Sequence, residues 1–129
     1  MNQNVLLVDD EPHVLSGLSR RLRARPYCLL TAQSSQDAMQ IMRTHPVDVV
    51  VSDEKMPGIP GLELLNWVSE NFPDAGRILL TGRADMDMAF RVMDMDCSFR
   101  FITKGKGTDE LIEAIEESLE RTASTDSAL

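Results

Sequence analysis

The sequence predicts an α/β domain in which a five-stranded parallel β-sheet carries helices on both faces. Short apolar segments alternate with longer amphipathic segments along the chain, which is typical of repeated β–α units. The segments at residues 5–8 and 47–51 are strongly apolar, as expected of strands that are covered on both faces. With 129 residues, 43% of them hydrophobic, the chain has the size and composition of one domain.

Five strands and five helices are predicted in alternation. The strands are short apolar runs at residues 5–8, 27–31, 47–51, 77–80 and 99–102. The helices have apolar residues at the spacing of one helical face, at residues 11–24, 34–43, 62–71, 85–95 and 108–121. Right-handed crossovers leave few topologies. Among them we predict a three-layer (βα)5 sandwich that is similar to the flavodoxin-like fold, which implies strand order 2-1-3-4-5.

Proline, glycine and small polar residues mark the ends of these elements. Pro12 suits the first turn of a helix, where its missing N–H would have no partner. The segment at residues 56–61 is a loop by composition. We assign residues 1–121 to one domain. Residues 122–129 are small and polar, and we predict that they form a tail or the start of a linker.

The composition excludes several classes of protein. A net charge of −8 disfavours general binding to nucleic acid. The apolar runs are too short to cross a membrane, and the N-terminus lacks the pattern of a secretory signal, so we expect a cytoplasmic protein. Cys28 and Cys97 do not suggest a disulfide framework, and we predict that both are small apolar core residues.

Polar residues follow four of the five predicted strands. Asp9 and Asp10 follow the first strand, and Asp53 follows the third. Thr81 follows the fourth strand and Lys104 the fifth. Because the carboxyl ends of parallel strands meet at one edge of the sheet, where ligands bind, we expect these side chains to converge. Taken singly, each is more typical of a cap or a turn, but joint placement at four strand ends is hard to reach by chance.

Three converging carboxylates repel one another. Protonation or a divalent cation would relieve the repulsion, and oxygen ligands completed by water suit Mg²⁺. Lys104 would balance part of the remaining charge. We therefore predict a Mg²⁺ site at Asp9, Asp10 and Asp53 that binds a phosphoryl group once Mg²⁺ is present.

In combination, these segments resemble the receiver domain of response regulators in two-component signalling. The resemblance covers about residues 4–121 and rests on VLLVDDEP at residues 5–12, VVVSDEKMPG at 49–58, ILLTG at 78–82 and FITK at 101–104. It implies a domain that takes a phosphoryl group from a phosphohistidine of a sensor histidine kinase or phosphotransfer protein. The domain would then relay phosphorylation as a conformational switch.

The resemblance implies a role for each acidic residue of the predicted site. Asp53 is the implied phosphoacceptor. Asp10 and Asp53 would ligate Mg²⁺ directly, together with the backbone carbonyl of Lys55, and Asp9 would act partly through water. The phosphorylated aspartate is a mixed anhydride that water attacks. We therefore predict a switch that slowly dephosphorylates itself, and not a turnover enzyme.

The resemblance also implies residues that respond to phosphorylation. Thr81 would donate its hydroxyl to the phosphoryl group, Lys104 would pair with a phosphoryl oxygen, and Phe101 would turn inward as Thr81 moves. In the family the lysine is usually followed by proline, often after a cis bond, whereas here Gly105 follows Lys104. A non-proline cis bond costs roughly 2.5–4 kcal/mol, so the sequence leaves both a cis and a trans bond open.

Two further cations stand near the predicted site. Lys55 and Arg83 come two positions after Asp53 and Thr81, at places that in the family flank the water that hydrolyses the phosphoaspartate. We predict that this pair tunes the phosphoryl lifetime. The alternative is two solvated surface charges.

The implied partners are the phosphodonor and an output. The output is either a further domain or a separate effector protein. Many members of the family dimerise through the face formed by helix four, strand five and helix five, and we predict the same face for a homodimer here. We predict no direct binding to nucleic acid.

Two other functions fit parts of the sequence. A phosphatase with Asp53 as transient nucleophile would normally need an acid two residues later, where Lys55 stands. A flavodoxin-like nucleotide or flavin binder would need a Gly, Ser or Thr loop after the first strand, where the acidic residues 9–11 stand. Both alternatives are therefore less well supported than the receiver domain.

Overall fold

The structure, a computed structural model, describes residues 3–81, 100–103 and 108–127, with the backbone alone for residues 103 and 123–127. These residues contain five strands, namely β1 (Gln3–Val8), β2 (Tyr27–Ala32), β3 (Val49–Asp53), β4 (Gly76–Thr81) and β5 (Arg100–Thr103). All pair in parallel, in the order β2-β1-β3-β4-β5. The predicted topology is thus confirmed.

Four helices lie within the described residues. They are α1 (Pro12–Leu22), α2 (Ser35–Thr44), α3 (Gly61–Asn71) and a C-terminal helix (Asp109–Ser127). Helix α2 begins at a side-chain cap, because the hydroxyl of Ser34 accepts a hydrogen bond from the backbone N–H of Asp37 at 3.0 Å. The helix predicted at residues 85–95 lies outside the described residues.

Two apolar layers cover the two faces of the sheet. Alternate residues of β1 point to opposite layers, since Val5 and Leu7 belong to one cluster and Leu6 to the other, all with no exposed surface. Helix α1 and the C-terminal helix supply the first layer. Helices α2 and α3 supply the second. Strand side chains alternate between the two faces of the sheet. The apolar strands predicted from the sequence therefore form the central layer of a three-layer sandwich.

Two element ends lie two or more residues later in the structure than the sequence predicts. Strand β3 ends at Asp53, two residues later than predicted, because Asp53 still pairs with Leu80 of β4. The C-terminal helix continues past Arg121 to Ser127, and the hydroxyl of Thr122 donates to the Ser118 carbonyl at 3.0 Å within it. The predicted domain boundary at residue 121 stays a prediction.

The prediction that Cys28 is a core residue is wrong. Cys28 is exposed, because it lies on β2, the strand at the edge of the sheet. An edge strand is covered less completely than a central one, so its residues need not be buried. Cys97 lies outside the described residues.

In the described part of the chain, no helix has the length and apolar character needed to cross a membrane.

Gly17 offers a test of the helical packing on the first face. It lies inside α1, and a Cβ built on it would meet nothing within 4 Å. Gly17→Ala should therefore raise the free energy of unfolding by about 0.5–1 kcal/mol, because alanine loses less backbone entropy in a helix. Urea unfolding measures the change.

Gly76→Ala is the matched control for this substitution. Its Cβ would lie 2.8 Å from the Ser118 Cβ, so this variant should be less stable than the native chain. A destabilised Gly17→Ala variant would contradict the open space seen beside α1.

Candidate functional site

An acidic cluster forms where β1 and β3 end. Asp9 and Asp10 directly follow β1, and Asp53 is the last residue of β3. One carboxylate oxygen from each residue lies within 4.8 Å of those of the other two. The pairing of Val8 with Ser52 explains this, because the next residues of the two strands are Asp9 and Asp53. The structure therefore brings together all three predicted carboxylates.

The cluster is largely withdrawn from solvent. Asp9 is 2% exposed and Asp53 is 7% exposed, whereas Asp10 is partly exposed. Backbone groups hold Asp9 on both sides, since its N–H donates to the Ala32 carbonyl at 3.1 Å and its Oδ1 accepts from the Glu11 N–H at 3.0 Å. The carboxylates thus sit on rigid strand ends.

The donor set of the cluster fits a single Mg²⁺ ion. Mg²⁺ prefers six oxygen ligands at about 2.0–2.1 Å, which places ligand oxygens about 3–4 Å apart. The oxygen atoms of Asp9, Asp10 and Asp53, within 4.8 Å of one another, need only small adjustments to reach that geometry. Partial exposure of Asp10 leaves room for water to complete the shell.

The loop that follows Asp53, residues 54–60, is tied to three parts of the fold. The Glu54 N–H donates to the Leu80 carbonyl of β4 at 3.0 Å. The buried Ser35 hydroxyl, on α2, donates to the Ile59 carbonyl at 2.8 Å. Met56 is buried in the apolar layer of α2 and α3. Lys55, whose carbonyl is a predicted Mg²⁺ ligand, lies inside this fixed loop with its side chain exposed.

Two glycines let the loop take this path. Gly58 has φ of +83°, a conformation that side chains with a Cβ rarely adopt. Gly61 begins α3, and a Cβ on it would lie 2.1 Å from the carbonyl oxygen of Asp53. That oxygen also accepts a hydrogen bond from the Ser52 hydroxyl at 2.9 Å. The start of α3 is therefore packed directly against the backbone of Asp53.

Thr81 lies beside this cluster at the end of β4. Asp53 pairs with Leu80, so Thr81 is one step further along the neighbouring strand, and it is 5% exposed. Thr81 pairs in turn with Thr103 of β5. Phe101, two residues before Thr103, is partly buried against the layer of α2 and α3. The remaining predicted site residues are Lys104 and Arg83. Both lie outside the described residues, as does Gly105, which follows Lys104.

Comparison with known proteins identifies the family. The model of the response regulator receiver domain family matches residues 5–116. The chain belongs to this family. Its sheet order and the acidic cluster at the strand ends are those expected of a receiver domain, a signalling domain of two-component systems.

Individual relatives agree with the family match. The transcriptional regulatory protein GlrR of Escherichia coli (strain K12) is 32% identical over 120 residues, which are 93% of this chain and 27% of GlrR. The receiver domain thus spans about a quarter of that relative's length.

Two solved structures resemble the chain over almost its full length. The signal receiver domain of an HD domain-containing protein from Pseudomonas fluorescens Pf-5 has a TM-score of 0.88 and 29% identity, covering 96% of this chain and 99% of that one. The response regulator TrrA of Thermotoga maritima, solved in complex with Mg²⁺-BeF, has a TM-score of 0.80 and 30% identity, covering 91% and 99%.

Glu54 is a residue of this receiver domain that sequence reasoning missed. It directly follows Asp53 but is not one of the three described acids grouped closely enough to share an ion. Its Oε1 accepts a hydrogen bond from the Leu62 N–H, in the first turn of α3, at 2.7 Å. The sequence feature that could have indicated this role is Pro60 at the N-cap of α3. Proline has no side-chain hydrogen-bond acceptor, so another residue must accept from the free N–H groups of the helix.

The contact at Gly61 can be tested by adding a methyl group. Gly61→Ala places a carbon 2.1 Å from the Asp53 carbonyl oxygen, so either α3 or Asp53 must move. Overpacking of this kind typically costs about 1–3 kcal/mol, and displacement of a site residue by about 1 Å can lower a rate about 100-fold. We expect a lower melting temperature together with at least tenfold slower phosphorylation by acetyl phosphate, measured by intact mass.

Gly17→Ala, whose added methyl group would meet nothing within 4 Å, is the matched control and should be phosphorylated at the native rate. Native behaviour of Gly61→Ala in both measurements would show that the close contact does not constrain Asp53.

Proposed function

We propose that Asp53 accepts a phosphoryl group in a reaction that depends on Mg²⁺, and that phosphorylation switches the domain between two conformations. The observation that carries this proposal is the cluster of Asp9, Asp10 and Asp53, with carboxylate oxygens within 4.8 Å at one edge of the sheet. The Mg²⁺-BeF complex of TrrA supports the same reading by analogy. Mg²⁺ is accordingly the proposed cofactor, with the Lys55 carbonyl as a further ligand.

The proposed chemistry is a single displacement at phosphorus. A carboxylate oxygen of Asp53 attacks the phosphorus atom of a phosphohistidine, and an O–P bond forms as the N–P bond breaks. The imidazole of the donor leaves with the electron pair of that bond. When bound, Mg²⁺ would neutralise charge on the phosphoryl oxygens in the transition state. Asp9 and Asp10, fixed at the end of β1, would hold the ion beside the attacking oxygen.

Thr81, Lys104 and Phe101 are the proposed readers of the phosphoryl group. The Thr81 hydroxyl would donate a hydrogen bond to a phosphoryl oxygen, and the Lys104 ammonium would pair with another. The position of Thr81, one residue past the partner of Asp53 on β4, supports its role. Since Thr81 and Phe101 lie on paired strands, a shift of Thr81 towards the phosphate can reach Phe101.

We propose that the domain has no turnover activity of its own beyond slow loss of the phosphoryl group. A phosphatase that used Asp53 as nucleophile would normally need a general acid two residues later. That position holds Lys55, a basic residue whose side chain is exposed. The expected product is therefore a covalent phosphoaspartate that loses its phosphoryl group slowly to water.

Receiver domains interact with sensor kinases, and relatives such as GlrR continue beyond their receiver. We propose that a sensor histidine kinase or phosphotransfer protein is the donor here. The proposed output is a further domain or a separate effector. For a homodimer we propose the face formed by the helix predicted at residues 85–95, β5 and the C-terminal helix. With a net charge of −8, the domain is not expected to bind nucleic acid itself. The cytoplasmic location stays a prediction.

The central prediction concerns the phosphoacceptor. Incubation with acetyl phosphate and Mg²⁺ should raise the intact mass of the native chain by one phosphoryl group, because Asp53 presents the attacking oxygen beside the metal ligands. Asp53→Ala should gain no mass. Chelation of Mg²⁺ should also abolish the gain.

Asp74→Ala is the matched control, because Asp74 is an exposed acid that precedes β4, at the opposite end of that strand from Thr81. It should gain mass as the native chain does. Equal mass gain in Asp53→Ala, or none in the native chain, would contradict the proposed function.

The lifetime prediction concerns Lys55 and Arg83. If these cations flank the attacking water, the double substitution Lys55→Ala and Arg83→Ala should change the rate of phosphoryl loss by threefold or more, because it removes two charges beside the hydrolysed bond. Loss of mass after removal of the phosphodonor measures this rate. The exposed pair Arg20→Ala and Arg21→Ala, on α1, is the charge-matched control. An unchanged rate in the first double variant would identify its cations as solvated surface charges.

A further inference from the structure

We propose that Glu54 is a positioning residue whose carboxylate clamps α3 to the phosphoacceptor strand and thereby sets the affinity of the site for Mg²⁺. This inference rests on the proposed function, because it concerns the same metal site. It assigns a role to a buried acid that neither the chemistry at Asp53 nor the ligation of Mg²⁺ uses.

Glu54, which follows β3, joins β4 and α3 through three hydrogen bonds of its own polar groups. Its backbone N–H donates to the Leu80 carbonyl of β4 at 3.0 Å. Its backbone carbonyl accepts from the Gly61 N–H at 3.0 Å, and its side-chain Oε1 accepts from the Leu62 N–H at 2.7 Å. Two consecutive N–H groups of α3 are therefore bound to one residue, which lies next to Asp53 in the chain.

The clamp supplies what the first turn of α3 otherwise lacks. Pro60 at the N-cap has no side-chain oxygen, and no capping hydrogen bond comes from it. A carboxylate near a helix N-terminus is favoured by the partial positive charge of the free N–H groups. Glu54 is 8% exposed, so this hydrogen bond is shielded from competing water and holds the helix at a fixed distance from β3.

The clamped segment contains parts of the metal site. Asp53 and Lys55 flank Glu54, and Gly61 at the far end of the loop is packed on the Asp53 carbonyl. A loosened helix start would free the seven-residue segment that carries the Lys55 carbonyl, the predicted ligand from this loop. Metal ligands depend strongly on the groups that orient them, and loss of such a group typically lowers affinity about 10–100-fold.

Two effects of Glu54 can be separated by chemistry. If its role is the negative charge near the cation, Glu54→Gln and Glu54→Ala should weaken Mg²⁺ binding equally. If its role is the clamp, glutamine retains an acceptor oxygen at the same position and should rescue binding, whereas alanine should not.

The test is Mg²⁺ titration of the whole chain without a phosphodonor, by isothermal titration calorimetry and by fluorescence. Trp67 is the single tryptophan and lies on α3, so its emission reports on the clamped helix. We expect Glu54→Ala to raise the apparent Kd for Mg²⁺ about tenfold and Glu54→Gln to stay within about threefold of the native chain. Glu63→Ala, which removes an exposed acid from the same helical turn, should bind Mg²⁺ as the native chain does.

A second readout separates positioning from general destabilisation. Phosphorylation of Glu54→Ala by acetyl phosphate should be slow at low Mg²⁺ and approach the native rate at saturating Mg²⁺. A variant that was merely less stable would show a lower melting temperature with an unchanged Kd for Mg²⁺, and that result would overturn the inference. Equal weakening in the glutamine and alanine variants would also overturn it, in favour of a charge effect.

The titration remains decisive if the proposed function fails. A native chain that binds Mg²⁺ but gains no phosphoryl mass would refute the phosphoacceptor role and leave the clamp to be judged by Kd alone. A native chain that binds no Mg²⁺ would refute the clamp proposal itself. If Glu54→Ala does not fold, the glutamine variant decides. A tenfold higher Kd for Mg²⁺ in Glu54→Gln would contradict the clamp. A native Kd for Mg²⁺ in both Glu54→Gln and Glu63→Ala would support it.

Discussion

Mutual repulsion among three carboxylates is the constraint around which the rest of the molecule is arranged. Asp9, Asp10 and Asp53 place oxygen atoms within 4.8 Å of one another. Asp9 and Asp53 are almost completely buried. Like charges this close oppose folding unless a cation or a proton compensates them. The sheet withstands this because β1 and β3 are paired along their length and are covered by apolar layers on both sides. The backbone of the paired strands thus holds the three carboxylates close together.

Strand β3, which ends at the proposed phosphoacceptor Asp53, is connected to its surroundings along two separate routes. One route runs through the loop at residues 54–60 to α3, by way of Glu54 and the close packing of Gly61 on the Asp53 carbonyl. The other runs across the sheet from Asp53 to β4 and then from Thr81 to Thr103 of β5. The first route is short and buried, so it fixes the backbone of residues that the proposed function assigns to the metal. The second route contains Thr81 and Phe101, which the proposed function describes as responding to the phosphoryl group. Under that function, α3 stabilises the site, and β4 and β5 transmit the signal.

The placement of the polar site residues was predictable because the carboxyl ends of parallel strands all lie at one edge of the sheet. The two helical layers follow from hydrophobic periodicity. The approach of Asp9, Asp10 and Asp53 follows from this rule together with the strand order of the flavodoxin-like fold. Glu54 was not predictable in the same way, because its partner is eight residues distant and depends on how the loop folds back. The exposure of Cys28 depended on edge position, which periodicity does not encode. The end of β3 depended on pairing of Asp53 with a neighbouring strand.

A phosphoryl group can shift a conformational equilibrium only by binding one conformation better than the other. The residues that transmit the signal must therefore differ in contacts between the two conformations. Asp53 and Glu54 are poor candidates, since strand pairing and the α3 hydrogen bonds hold both backbones. Phe101 differs from them, because it is only partly buried against the layer of α2 and α3, so further burial remains available to it. Each 1.4 kcal/mol gained on burial would change the ratio of the two conformations about tenfold, and a large aromatic ring can contribute that much. Under the proposed function, the partial exposure of Phe101 therefore provides a contact on β5 that phosphorylation of Asp53 can change.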